Sequence, residues 1–102
     1  MEFCEVRLEG NKIGSTIYIT GLLANLAATR AEVMIAGLRE GTLVLRVDLR
    51  GVEIIDPTSF VRVARSLSHW RDAKRGRVVI QFPERSSRRN REARSRVLGY
   101  IR

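Results

Sequence analysis

The sequence holds few of the residues from which catalytic and metal centres are built. It has one cysteine, Cys4, and one histidine, His69, in 102 residues. One thiol closes no internal disulfide, and one thiol with one imidazole falls short of the ligand set of a tetrahedral zinc site. The glycines stand singly at 10, 14, 21, 37, 41, 51, 76 and 99, never as G-x-G-x-x-G or a Walker loop, so no backbone cradle for a nucleotide phosphate is written into the chain. Six aromatics, three Phe, two Tyr and one Trp, leave no base-stacking platform once Phe60 and Trp70 are assigned to a core stripe. There is no long apolar run. The most nearly uncharged stretch, Ile13 to Thr29, is interrupted by Gly14, Ser15, Thr16, Tyr18, Thr20, Gly21 and Asn25, too polar for a span of about 20 residues. Met1 to Glu9 alternates charged and apolar residues, unlike a secretory leader. These absences predict a soluble, cytoplasmic protein that is not an enzyme and carries no cofactor and no metal.

What is present is an ordinary globular composition, 44% hydrophobic and 29% charged, of a length that builds one hydrophobic core. The net charge of +8 is unevenly placed. Residues 1–56 carry six basic and eight acidic side chains, whereas residues 57–102 carry thirteen basic and three acidic. A half with net charge +10 points to an anionic partner, whether nucleic acid, a membrane surface or an acidic protein face.

The hydrophobic pattern predicts β-β-α-β-α-β-α. Phe3 to Glu9 alternates with period two, and Thr16 to Thr20 is β-branched and aromatic, so the two form a hairpin through a Gly-Asn-containing loop, with Gly21 ending the second strand. Thr29-Arg30-Ala31-Glu32 fits a capping box at a helix start. Ala31, Met34, Ile35 and Leu38 then make an apolar stripe, and Gly41 is the expected left-handed C-terminal cap. Thr42 to Leu49 reads as a central strand covered on both faces. Asp56-Pro57 opens a second helix, with Asp as cap and Pro in the first turn. Its stripe is Phe60, Val63, Ala64 and Leu67, with Trp70 beside it, and Gly76 closes it. Val78 to Phe82 is the next strand. Residues 84–102 hold seven arginines, with Ala93, Val97 and Ile101 spaced by four, and read as a basic loop and a helix from about Asn90 to Tyr100. Alternating strands and helices define an α/β fold with a mixed four-stranded sheet.

Individual candidates for chemistry resolve into structural roles. His69 lies mid-helix with no nucleophile signature near it, Cys4 is a small strand hydrophobe, and Asp48 and Asp56 are too sparse an oxygen set for a cation.

The segment from Val44 to Phe82 resembles the STAS family, the domain of bacterial anti-sigma factor antagonists and of sulfate-transporter tails. Val47-Asp48-Leu49-Arg50-Gly51-Val52 matches the family's strand-to-turn motif, and Asp56-Pro57-Thr58-Ser59 stands at its D-S-[ST]-G segment. Ile17 to Leu23 and Gly76 to Ile80 look like two further strands of the family, and the resemblance covers about residues 4–101. It implies one STAS-like domain over residues 1–102 and a non-catalytic module of transcription signalling. Such a module docks through the 56–60 loop and the following helix onto an anti-sigma factor or serine kinase. By position the regulatory phosphorylation site falls on Thr58, with Ser59 as the weaker candidate. The partner-binding set is Asp56, Pro57, Thr58, Ser59, Phe60, Arg62 and Arg65. A phosphate on Thr58 suits the positive end of a helix, and its charge would repel a docked partner. The chain departs from the family pattern at Pro57, where the family has Ser, and at Ser59, where it has Gly; both substitutions stiffen the loop.

With this reading the basic half of the chain predicts an acidic partner face. A homodimer is compatible with it, as is service as an accessory subunit of a transporter or a stressosome-like complex. The alternative from another class is a nucleic-acid binder using Arg85, Arg88, Arg89, Arg91, Arg94 and Arg96, since clustered arginines release counterions from phosphate backbones.

Overall fold

A computed structural model describes residues 3–10 and 13–83. Strand β1 (Cys4–Gly10) pairs antiparallel with β2 (Gly14–Leu23), Val6 lying opposite Ile19 and Leu8 opposite Ile17. Helix α1 (Asn25–Ala36) connects β2 to a parallel β3 (Val44–Ile55), and helix α2 (Pro57–Lys74) connects β3 to a parallel β4 (Arg77–Gln81). The sheet order is β1-β2-β3-β4, a mixed four-stranded sheet with two helical crossovers. The predicted class and element order hold through β4. The helix expected at about Asn90 to Tyr100, and the rest of the basic segment 84–102, lie outside the described residues.

Alternation along the strands builds the core. Ile17 and Ile19 of β2 and Leu45, Val47 and Leu49 of β3 share one face, fully buried, with Cys4, Val6, Val78 and Ile80 packed around them. Onto that face α1 lays Ala27, Ala28, Ala31 and Ile35, and α2 lays Phe60, Val63, Ala64, Leu67 and Trp70. Three alanines on the inner face of α1 let its backbone lie close to the sheet and to α2. The Phe60 ring meets Phe82 edge to face, with centroids 5.8 Å apart.

Several expectations are corrected. Strand β3 is interior to the sheet, but the face opposite the core leaves Arg46 and Arg50 exposed, so it is not covered on both sides among the described residues. Helix α1 begins at Asn25, one turn ahead of the expected capping box. Thr29 is inside it, its hydroxyl donating to the Asn25 carbonyl at 2.9 Å, and Glu32 accepts from Arg62 rather than from a cap amide. The alanine-rich segment 27–31 supplied helix propensity that the box motif concealed. The helix ends at Gly37 with φ −94°; Gly41 does have positive φ, +88°, but in the loop beyond. Gly21 does not end β2. It lies inside the strand at φ +83°, next to a break in the β2–β3 register, and β2 continues to Leu23. At the end of α2 it is Arg75, not Gly76, that takes the left-handed conformation, φ 52°. Gly76 is needed there for space, because a Cβ on it would come within 2.3 Å of the Trp70 ring.

Candidate docking edge at the start of helix α2

The segment 56–59 is held by two sets of contacts. The Asp56 amide donates to the Leu23 carbonyl at 2.8 Å, which ties the turn after β3 to the end of β2. The Asp56 carboxylate caps α2: its Oδ2 accepts from the Ser59 amide at 3.0 Å and from the Ser59 hydroxyl at 2.7 Å. Pro57 occupies the first turn, where it has no amide to leave unpaired. Both helices therefore start at the same edge of the sheet, where β2 and β3 end.

The partner-binding set predicted from sequence divides on this frame. Thr58 is exposed, and Asp56 and Pro57 are half-buried beside it. Ser59 is 5% exposed with its hydroxyl committed to Asp56, so it presents no free hydroxyl for modification. Phe60 is fully buried and offers a partner no side-chain surface; its role is in the core. A helix start alternates between outward and inward positions within one turn, and the linear motif does not separate them. Arg65 is exposed. Arg62 is half-buried and turned toward α1. Its Nη1 donates to Asn25 Oδ1 at 2.5 Å, and its Nη2 donates to Thr29 Oγ1 at 3.1 Å and to the Glu32 carboxylate.

Two exposed apolar residues absent from the predicted set frame the same edge: Ile54, 48% exposed at the end of β3, and Leu26, 37% exposed in the first turn of α1. The signal for Ile54 was the doublet Ile54-Ile55, since neighbouring strand residues point to opposite faces and only one can enter the core. Asp48 lies elsewhere. Arg50 chelates it, Nε donating to both carboxylate oxygens at 3.1 and 3.2 Å and Nη2 to Oδ2 at 2.7 Å, while the Arg50 amide donates to Oδ1 at 3.0 Å. The Arg50 hydrogen bonds hold the Asp48 carboxyl below its ordinary pKa, against the opposing effect of burial. Asp48 is thus held in a local pair with Arg50. Among the described residues no three His, Cys, Asp or Glu side chains converge as metal ligands, and no helix is long and apolar enough to cross a membrane.

This arrangement of sheet, helices and capped edge is a STAS fold. It superimposes on the anti-sigma factor antagonist SpoIIAA in its unphosphorylated form with a TM-score of 0.75 at 16% identity, over 95% of this chain and 83% of that one. Crystal structures of Mglu share the fold at TM-scores of 0.69 and 0.68, with 21% and 16% identity. This chain spans only 20% and 23% of the Mglu chains, and 79% and 76% of it is covered. No protein-family model and no curated protein sequence matches the chain.

Proposed function

We propose that the chain is a non-catalytic regulatory module of the anti-sigma factor antagonist type, which docks on a protein partner through the edge formed by Asp56, Pro57, Thr58 and the outer face of α2. The observation that carries this reading is Thr58: an exposed hydroxyl on a helix start made rigid by the Asp56 cap and by the tie to Leu23, in a fold shared with SpoIIAA. Ile54 and Leu26 supply apolar contact area around it. From Pro57 through the Arg75 cap, α2 carries five basic side chains, Arg62, Arg65, Arg71, Lys74 and Arg75, against the single acid Asp72. That balance suits a partner with an acidic face, such as an anti-sigma factor of the serine-kinase kind. Phosphorylation of Thr58 would add a charge of −1.5 to −2 at the centre of the docking edge and weaken the complex.

The test is affinity capture from the native cytoplasm, with partners identified by mass spectrometry and their affinity measured for wild type, Thr58→Ala and Thr58→Glu. The reading expects a kinase-type protein partner that Thr58→Ala retains and Thr58→Glu loses by at least roughly tenfold. A partner set that Thr58→Glu leaves unaltered overturns it.

A further inference from the structure

We infer that Arg62 reads the state of Thr58 and passes it to helix α1. The inference rests on Thr58 being the modified residue and adds what the modification does inside the fold.

Thr58 and Arg62 are four residues apart on α2, so their side chains are neighbours on one face of the helix. The Arg62 guanidinium is turned away from α2. It holds acceptors on two successive turns of α1, Asn25 Oδ1, Thr29 Oγ1 and the Glu32 carboxylate. Ala27 and Ala28 hold the inner side of the first turn of α1 in the core, and the Arg62 contacts fasten its outer side. Its N-cap is Ala24, whose side chain makes no capping hydrogen bond, and the first turn carries no acidic residue. The Thr29 hydroxyl, which Arg62 holds from outside, donates to the Asn25 carbonyl. The beginning of α1 is thus fastened by a side chain of α2, the reverse of the α2 start, which is capped by its own Asp56.

A phosphate on Thr58 is a stronger acceptor for a guanidinium than an amide, a hydroxyl or one partly exposed carboxylate, because it pairs with the fork bidentately and carries up to two charges. It sits on the face Arg62 already occupies, one turn away. Arg62 therefore exchanges its α1 partners for the phosphate, Glu32 loses its cation, and the first two turns of α1 lose their side-chain tie to α2 and are loosened, with Ala27, Ala28 and Ala31 still packed in the core. Phosphorylation then acts twice on the docking edge: by the charge at Thr58, and by loosening α1, which carries the exposed Leu26.

The test uses the full chain with phosphothreonine installed at position 58 by genetic encoding, in wild type and in Arg62→Gln, Arg62→Lys and Glu32→Gln backgrounds. Phosphorus NMR titration reads the contact with the phosphate, and amide hydrogen exchange over residues 25–32 reads the loosening of α1. In wild type the phosphate is expected to titrate below its ordinary value near 6 and α1 exchange to rise roughly five- to tenfold on phosphorylation. Arg62→Gln should return the phosphate to its ordinary titration and show fast α1 exchange with or without it. Glu32→Gln keeps both charges of the new pair and serves if Arg62→Gln fails to fold; it should depress the phosphate titration further. Identical phosphate titration in wild type and Arg62→Gln, or unchanged α1 exchange on phosphorylation, overturns the inference. Partner capture is scored separately. Loss of capture with α1 still protected keeps the docking reading and removes the relay, whereas a loosened α1 with capture intact keeps the relay and removes the docking reading.

Discussion

Asp56 and Ser59 form a closed cap at the start of α2, one carboxylate oxygen accepting both the amide and the hydroxyl of the same serine. The pair fixes the conformation of the two residues between them, Pro57 and Thr58, and Thr58 is held outward because Ser59 is held inward. Asp56→Ala is expected to destabilise the fold by about 1–2 kcal/mol, the range for losing an N-cap acceptor. Ser59→Ala should cost about 1 kcal/mol, since the amide bond to Asp56 survives and only the hydroxyl bond is lost. Urea unfolding of the two variants measures both, and equal losses would show that the hydroxyl, not the capped amide, carries the stability.

Arg75 adopts φ 52° where glycine carries no Cβ penalty. Arg75→Gly is therefore expected to stabilise the protein by about 0.5–1 kcal/mol, the relief at the left-handed position exceeding the added entropy of the unfolded chain. A raised midpoint in thermal unfolding checks it.

Two glycines with positive φ should respond differently to alanine. At Gly21 a Cβ would come within 2.4 Å of the Phe3 carbonyl oxygen, a backbone atom that pairs with Leu22 and has no room to retreat. At Gly41 nothing lies within 4 Å. Gly21→Ala should cost about 2–4 kcal/mol, dihedral strain plus collision. Gly41→Ala should cost about 1 kcal/mol, the dihedral term alone. Denaturant midpoints of the two variants give the comparison directly.

The Asp48–Arg50 pair predicts an acid dependence of stability. The folded-state pKa of Asp48 is depressed, by its hydrogen bonds to Arg50 first, below the ordinary 3.8. At low pH the unfolded chain thus takes up the proton first, so the stabilisation is complete above the unfolded value and is lost as pH falls through the folded one. The Arg50 side chain is 62% exposed, and solvent screening reduces the pair to about 1 kcal/mol. Asp48→Asn should show that deficit at neutral pH, and the gap from wild type should shrink as pH falls below the unfolded value of 3.8 and close once it has passed the lower folded one. A gap that persists unchanged in acid would assign the loss to packing instead.

Much of the candidate edge at the start of α2 was legible because its signals are local. Asp56-Pro57 announces a helix start from side-chain chemistry alone, and the alternation of β1 and the spacing of Phe60, Val63, Ala64 and Leu67 identify the faces that become the core. The start of α1 was misplaced because two local signals compete: Thr29 and Glu32 have the spacing of a capping box, yet both side chains are claimed by interactions the motif does not contain.

Composition and periodicity thus determined the α/β class, the element order through β4, the capped start of α2 and the surplus of positive charge, because each follows from contacts within a few residues of chain. Tertiary structure alone decided that both helices start at one edge and pack on one face, that Ser59 and Phe60 turn inward while Thr58 stays exposed, and that Arg62 fastens α1. The Arg62 contacts join residues 30 to 37 positions apart, and no periodicity of the chain reports which distant acceptor a long side chain will find once the helices have packed.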